Sequence, residues 1–105
     1  MSDAYLKYID VAIENVKRVY EAVQEVAEKT GIQYTILITA DHGGHDRTHG
    51  TELNEDMIIP IIALSKGEKI DLDFTGACIK DIAPTVANLL GVTPDDEWEG
   101  KSLVK

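Results

Sequence analysis

The chain has 105 residues, 44% of them hydrophobic, and a net charge of -9 with a pI of about 4.6. That length allows one modest core and excludes two ordinary domains, so the chain reads as one unit or one piece of a larger one. The acidity excludes a basic field for phosphate backbones, so no nucleic-acid polymer is expected as a partner, and an anionic substrate has to be met by local positive charge such as a metal ion.

From Ala4 to Lys29 the apolar residues Leu6, Ile9, Ile13, Val16, Tyr20, Val23 and Ala27 recur at steps of three and four, which predicts one stripe of a helix. Ser2 or Asp3 can cap its start, and Thr30-Gly31 supplies the stop. The same spacing fits a coiled-coil seam, but over only about three heptads, so packing onto a sheet is the better expectation. The acidic residues are spread along the chain, most of them on this helix and the C-terminal tail, and the simplest reading is a solvated surface. No basic start leads into an unbroken apolar run, and no segment approaches the roughly 18 apolar residues of a membrane span. The chain as given therefore reads as soluble and untargeted, with any signal or anchor left to a longer parent.

Tyr34–Thr39 is a β-branched run without polar alternation, as expected of a parallel strand covered on both faces. A loop rich in Gly and His follows. A second apolar run, Ile58–Leu64, contains Pro60, which either begins the strand proper or marks an edge, and Lys66-Gly67-Glu68 closes it as a turn. The polar connection beyond carries the single cysteine, Cys78, which can form no internal disulfide and fits a reducing cytoplasm. Asp81 can cap a helix that tolerates Pro84 in its first turn, turns Ile82, Val86, Leu89 and Leu90 inward, and stops at Gly91 before Pro94. The tail from Thr93 to Lys105 has only Trp98 and Leu103 as large apolar anchors and is expected to lie across the surface. The order helix, strand, long loop, strand, helix and tail predicts an α/β layer structure with too few strands to be complete.

All three histidines fall within the loop Ala40-Asp41-His42-Gly43-Gly44-His45-Asp46-Arg47-Thr48-His49-Gly50. A carboxylate and imidazoles form a ligand set for zinc or manganese, and glycines let the backbone bend tightly around an ion. The position fits as well, because ligands of open α/β sheets sit beyond the carboxyl ends of strands. The plain alternative is a polar loop in which Asp41 caps a turn and the histidines are solvated.

The longer string is more specific: Thr39-Ala40-Asp41-His42-Gly43-Gly44, then His49-Gly50-Thr51, then Ile59-Pro60-Ile61-Ile62. Over nearly its whole length the chain resembles the alkaline phosphatase superfamily, in particular its nucleotide pyrophosphatase and type I phosphodiesterase branch. The segment Ile79–Thr85 with Leu89-Leu90-Gly91 is similar to that superfamily's closing helix. The resemblance implies an incomplete alkaline-phosphatase-like layer structure. Its Asp-His pair, which binds the metal that also contacts the nucleophile, carries over onto Asp41 and His42, and the later histidine that binds the other metal onto His49. His45 matches no obligatory ligand and stays open between a supporting role, a substrate-facing role and none. Arg47 is read as solvated rather than phosphate-binding.

The chemistry so implied is in-line displacement at phosphorus, one metal lowering the pKa of the nucleophile and the other stabilising the leaving oxygen. The upstream Asp, the Ser or Thr nucleophile and a further Asp and His of such sites find no match here. Thr48 and Thr51 lie on the metal loop itself, and Cys78, Ser65 and Ser102 offer no substitute nucleophile. Residues 1–105 are therefore expected to be the C-terminal fragment of a two-metal phosphodiesterase or pyrophosphatase acting on a small-molecule phosphate ester. The fragment is expected to be inactive alone, to bind zinc or manganese weakly through Asp41, His42 and His49, and to self-associate through uncovered edges. The alternatives are a sulfatase or phosphomutase of the same superfamily, or a non-catalytic metal-binding or interaction module.

Overall fold

The computed structural model describes residues 2–65 and 70–105, so the turn expected at Lys66-Gly67-Glu68 lies outside the described residues. Helix α1 spans Asp3–Thr30 and strand β1 Thr35–Thr39, followed by the one-turn helix α2, Asn54–Met57, and strand β2, Ile61–Ser65. A short 3₁₀ turn, Ile79–Asp81, leads into helix α3, Ile82–Leu89. This is the expected α/β order. The chain divides into two compact units, Met1–Ile36 with Ala63–Glu68, and Leu37–Ile62 with Lys69–Lys105.

In the first unit, Ser2 proves to be the helix cap: its hydroxyl accepts the Tyr5 N–H at 3.1 Å. Gly31, at φ 70°, closes α1 in the left-handed conformation and donates its N–H to the Ala27 carbonyl at 2.9 Å. The apolar stripe is there but is not covered. No residue of α1 is buried; Leu6 and Ile13 stay 46% and 61% exposed, and only Tyr20, Val23, Gln24 and Ala27 are half-buried. A helix of this length runs about 42 Å, whereas a five-residue strand runs about 17 Å, so two short strands offer too little surface to cover it. No helix among the described residues is long and apolar enough to cross a membrane.

β1 and β2 pair as a two-stranded antiparallel sheet, which corrects the expectation of a parallel strand buried on both faces. The reason lies in residues 40–60. A parallel partner needs a crossover element, and this segment contains only the single turn of α2, so the chain doubles back. The Thr39 hydroxyl donates to the Pro60 carbonyl at 2.8 Å, fixing the end of the reversal. The strand proper begins after Pro60, leaving Met57 and Ile58 outside it and exposed. β1 is half-buried rather than enclosed.

The buried part of the second unit gathers around α3, and its inward face differs from the one expected. Pro84, Thr85 and Ala87 are buried, Ile82 and Leu89 are half-buried, and Val86 and Leu90 are exposed. The cause is the tail, which docks on the other side of the stripe. The buried Thr85 hydroxyl donates to the Asp81 carbonyl at 2.6 Å and accepts the Leu103 N–H at 2.9 Å. Leu103 is buried beside it, whereas Trp98 is 47% exposed and anchors little. The Asp81 side chain does not cap α3. It accepts the Lys101 N–H at 3.0 Å and the Cys78 N–H at 2.9 Å, and these bonds hold its carboxyl below the ordinary carboxylate range. Backbone bonds from Asp73 to Leu103 and from Lys105 to Asp71 complete the attachment of the tail.

Candidate functional site

The histidine loop leaves β1 through Ala40 and is pinned at once against the far end of α2. The Gly43 and Gly44 amides donate to the Asp56 and Glu55 carbonyls, each at 2.7 Å. Gly43 has to be glycine, because a Cβ there would collide with the Glu55 carbonyl oxygen. From His45 to Thr48 the loop makes a two-residue reversal, with His45 N–H donating to the Thr48 carbonyl at 3.0 Å and Thr48 N–H to the His45 carbonyl at 2.7 Å. Asp46 and Arg47 at its tip have φ of 45° and 62°, the left-handed pair that a type I′ turn requires.

The expected ligands lie where this loop opens. Asp41 and His42 are exposed and line a cleft of about 440 Å³, together with Thr51, Asp56, Met57 and Cys78. The His42 Nδ1 lies 2.6 Å from the Gly43 carbonyl oxygen. A carbonyl only accepts, so Nδ1 carries the proton, and in the neutral ring Nε2 keeps a free lone pair. That Nε2 stands 3.6 Å from Asp41 Oδ1. Two bonds of zinc length, about 2.1 Å each, meeting at a tetrahedral angle put their donor atoms roughly 3.4 Å apart, so this pair has the chemistry and the spacing to share a cation.

His49 comes to the same place by another contact. Its ring stacks on that of His42, with centroids 4.1 Å apart and planes at 18°. The lone pairs of imidazoles lie in the ring planes, so two nearly parallel rings cannot both aim at one ion. Among the described residues no group of three or more His, Cys, Asp or Glu side chains converges on a single point where a metal ion could sit. Asp41, His42 and His49 are thus neighbours, as two donors side by side and a third across a ring stack.

Beneath the loop is a residue that the sequence reading passed over. Asp56, at the buried edge of α2, is 3% exposed. Its Oδ1 accepts His45 Nδ1–H at 2.7 Å; its Oδ2 accepts the Thr51 N–H at 2.8 Å and the Thr51 hydroxyl. Those Thr51 and His45 hydrogen bonds bring the Asp56 carboxyl down from 3.8 to about 2, and the Asp56 bond raises His45 above 6.5. His45, left open above, is therefore tied to a buried carboxylate. The signal was present but weak: an acid just before an apolar run, where burial demands hydrogen-bond donors. Arg47 is exposed at the turn tip. Cys78, distant from the histidines in sequence, lines the same cleft as His42.

No family model matches the chain, and no solved structure matches it. Among curated proteins, the chain is similar to the 2,3-bisphosphoglycerate-independent phosphoglycerate mutase of Salmonella typhi, at 34% identity over 96 residues, covering 88% of this chain and 18% of the relative. It is similar to the enzyme of the same name from Listeria welshimeri at 32% identity over 110 aligned positions, covering 100% of this chain and 20% of the relative. A third relative of that name, from Shewanella pealeana, is 29% identical over 111 positions, with 98% and 20% covered. The chain thus spans about a fifth of the length of the curated relatives it matches. Phosphoglycerate mutases of this kind are members of the alkaline phosphatase superfamily, so the likeness supports that superfamily for this chain and does not support its nucleotide pyrophosphatase branch.

Proposed function

We propose that this chain supplies part of the metal site of a longer phosphoryl-transfer enzyme of the phosphomutase kind, with Asp41 and His42 holding one divalent ion and His49 a neighbouring one. The observation that carries the proposal is the Asp41–His42 pair: two acceptor atoms 3.6 Å apart, with the His42 tautomer fixed by the Gly43 carbonyl. The His42–His49 stack supports division of the ligands between two ions, since parallel rings about 4 Å apart suit the roughly 3.5–4 Å spacing of two-metal sites. The donor set fits zinc or manganese better than calcium.

When bound, such ions supply Lewis acidity at phosphoryl oxygens. The chain's own residues orient the ligands: Gly43 turns the His42 ring, and α2 holds the loop against the strand reversal. The nucleophile and the remaining ligands belong to the longer protein in this proposal, and its substrate is a small phosphate ester. The relatives' name favours a phosphomutase over the phosphodiesterase expected from the sequence.

Calorimetric titration of the chain with Zn²⁺ or Mn²⁺, beside an Asp41→Ala and a His42→Ala variant, tests the metal site. Weak binding lost in both variants is expected; equal affinity in all three proteins removes the pair from the site. For the longer protein, interconversion of 2- and 3-phosphoglycerate abolished by His42→Ala is expected, and turnover of a nitrophenyl phosphodiester alone would return the assignment to phosphodiesterase.

A further inference from the structure

We infer that Asp56 is a positioning residue for the metal loop, clamping its two ends so that the His42 and His49 rings meet. The functional half of this inference rests on the metal-site reading above, and the geometric half does not. Asp56 bonds to the loop on both sides of His49. Its carbonyl accepts Gly43 N–H at 2.7 Å, one residue after His42. Its Oδ1 accepts His45 Nδ1–H at 2.7 Å, and its Oδ2 accepts both the N–H and the hydroxyl of Thr51, two residues after His49. The side chain is 1% exposed, so water does not compete for these acceptors.

The chemistry selects a carboxylate. Three donors converge on two oxygens, and only an anionic acid offers acceptors to all of them. An amide would turn an NH₂ toward His45 or Thr51 and set donor against donor. The reversal between His45 and Thr48 carries two left-handed residues, Asp46 and Arg47, which non-glycine side chains adopt only when the surroundings hold them. The clamp at 45 and 51 brackets that reversal. Releasing it frees the segment that carries His49, while His42 stays fixed by Gly43. The ring stack, with its 4.1 Å separation, is then the first contact to be lost.

The test uses the full 105-residue chain and three variants, Asp56→Asn, Thr51→Val and His45→Gln, the last two keeping the buried carboxylate in case Asp56→Asn fails to fold. Circular dichroism and the thermal midpoint report folding; ring–ring nuclear Overhauser effects between His42 and His49 report the stack; calorimetry with Zn²⁺ alone reports affinity. The expected result is that Thr51→Val and His45→Gln keep the helical signal, lose the ring–ring contact, and bind Zn²⁺ about 10- to 100-fold more weakly, as for other residues that orient metal ligands. An intact ring–ring contact in folded Asp56→Asn, or in both other variants, overturns the positioning role. Should the unsubstituted chain bind no Zn²⁺ while the variants still lose the ring contact, the geometric inference stands and the metal-site reading fails.

Discussion

The Asp56 contact works at full strength only while the carboxylate is charged and His45 can donate, so pH acts on it from both directions. Asp56 falls from 3.8 to about 2 on folding, through its Thr51 and His45 bonds; the stability this brings is complete above 3.8 and is lost as the pH falls through about 2. His45 is raised above 6.5 by its bond to Asp56, so its share is complete below 6.5 and is lost as the pH rises through its folded value. Urea midpoints should therefore be highest between about pH 4 and 6.5 and decline on either side. Asp56→Asn should flatten the alkaline limb. The acid limb should shrink without vanishing, since Asp73, through the Thr75 N–H, and Asp81, through the Lys101 N–H, are also held low. An unchanged alkaline limb in Asp56→Asn would remove the His45 bond from the account. A second expectation concerns Gly43, whose lack of a Cβ lets the loop lie against the Glu55 carbonyl. Gly43→Ala should release the Gly43 and Gly44 amides, read as their loss of protection from hydrogen exchange, with that of α3 unchanged.

At the level of elements, local signals were legible and distant acceptors were not. The α1 stripe and its Gly31 stop, the strand ahead of the histidine loop and the stop at Gly91 all follow from rules that act within a few residues. Asp81 looked like a cap because capping is local, but its carboxylate answers to Lys101, twenty residues on. Val86 and Leu90 looked inward by periodicity, yet the tail takes the Thr85 side of α3. For the same reason the loop's donor side chains, Asp41, His42 and His49, stand out in the sequence, while the bonds that Asp56 makes to the loop do not: no spacing rule links position 45 to 56. The tail contact also gives an element-scale prediction. Thr85→Val keeps the shape but leaves the Leu103 N–H without its buried acceptor, which costs about 1–3 kcal/mol. Urea denaturation measures it, and a loss below about 0.5 kcal/mol would show that the tail repairs the bond elsewhere.

Across the whole molecule, the described residues bury few large apolar side chains, Leu103 being one, while Leu6, Ile9, Ile13 and Val16 of the α1 stripe all stay exposed. A continuous apolar stripe of that kind is removed from water by whatever surface is available, at about 25 cal/mol per Å² buried. The chain spans about a fifth of the length of the curated relatives it matches, and in a solution of the 105-residue chain another copy is the surface at hand. We therefore expect concentration-dependent self-association, seen as a rising sedimentation coefficient over the micromolar to millimolar range. The net charge of -9 opposes this at low ionic strength, so association should strengthen as salt screens the repulsion. Replacing Ile9 and Ile13 together with Glu puts charge on the middle of the stripe and should return the chain to monomer. Helicity should change little, because Glu is at least as good a helix former as Ile. A wild-type chain that stays monomeric at millimolar concentration in high salt would mean that the stripe tolerates water, and an associated Ile9→Glu, Ile13→Glu variant would place the contact elsewhere, at the open edges of the two-stranded sheet.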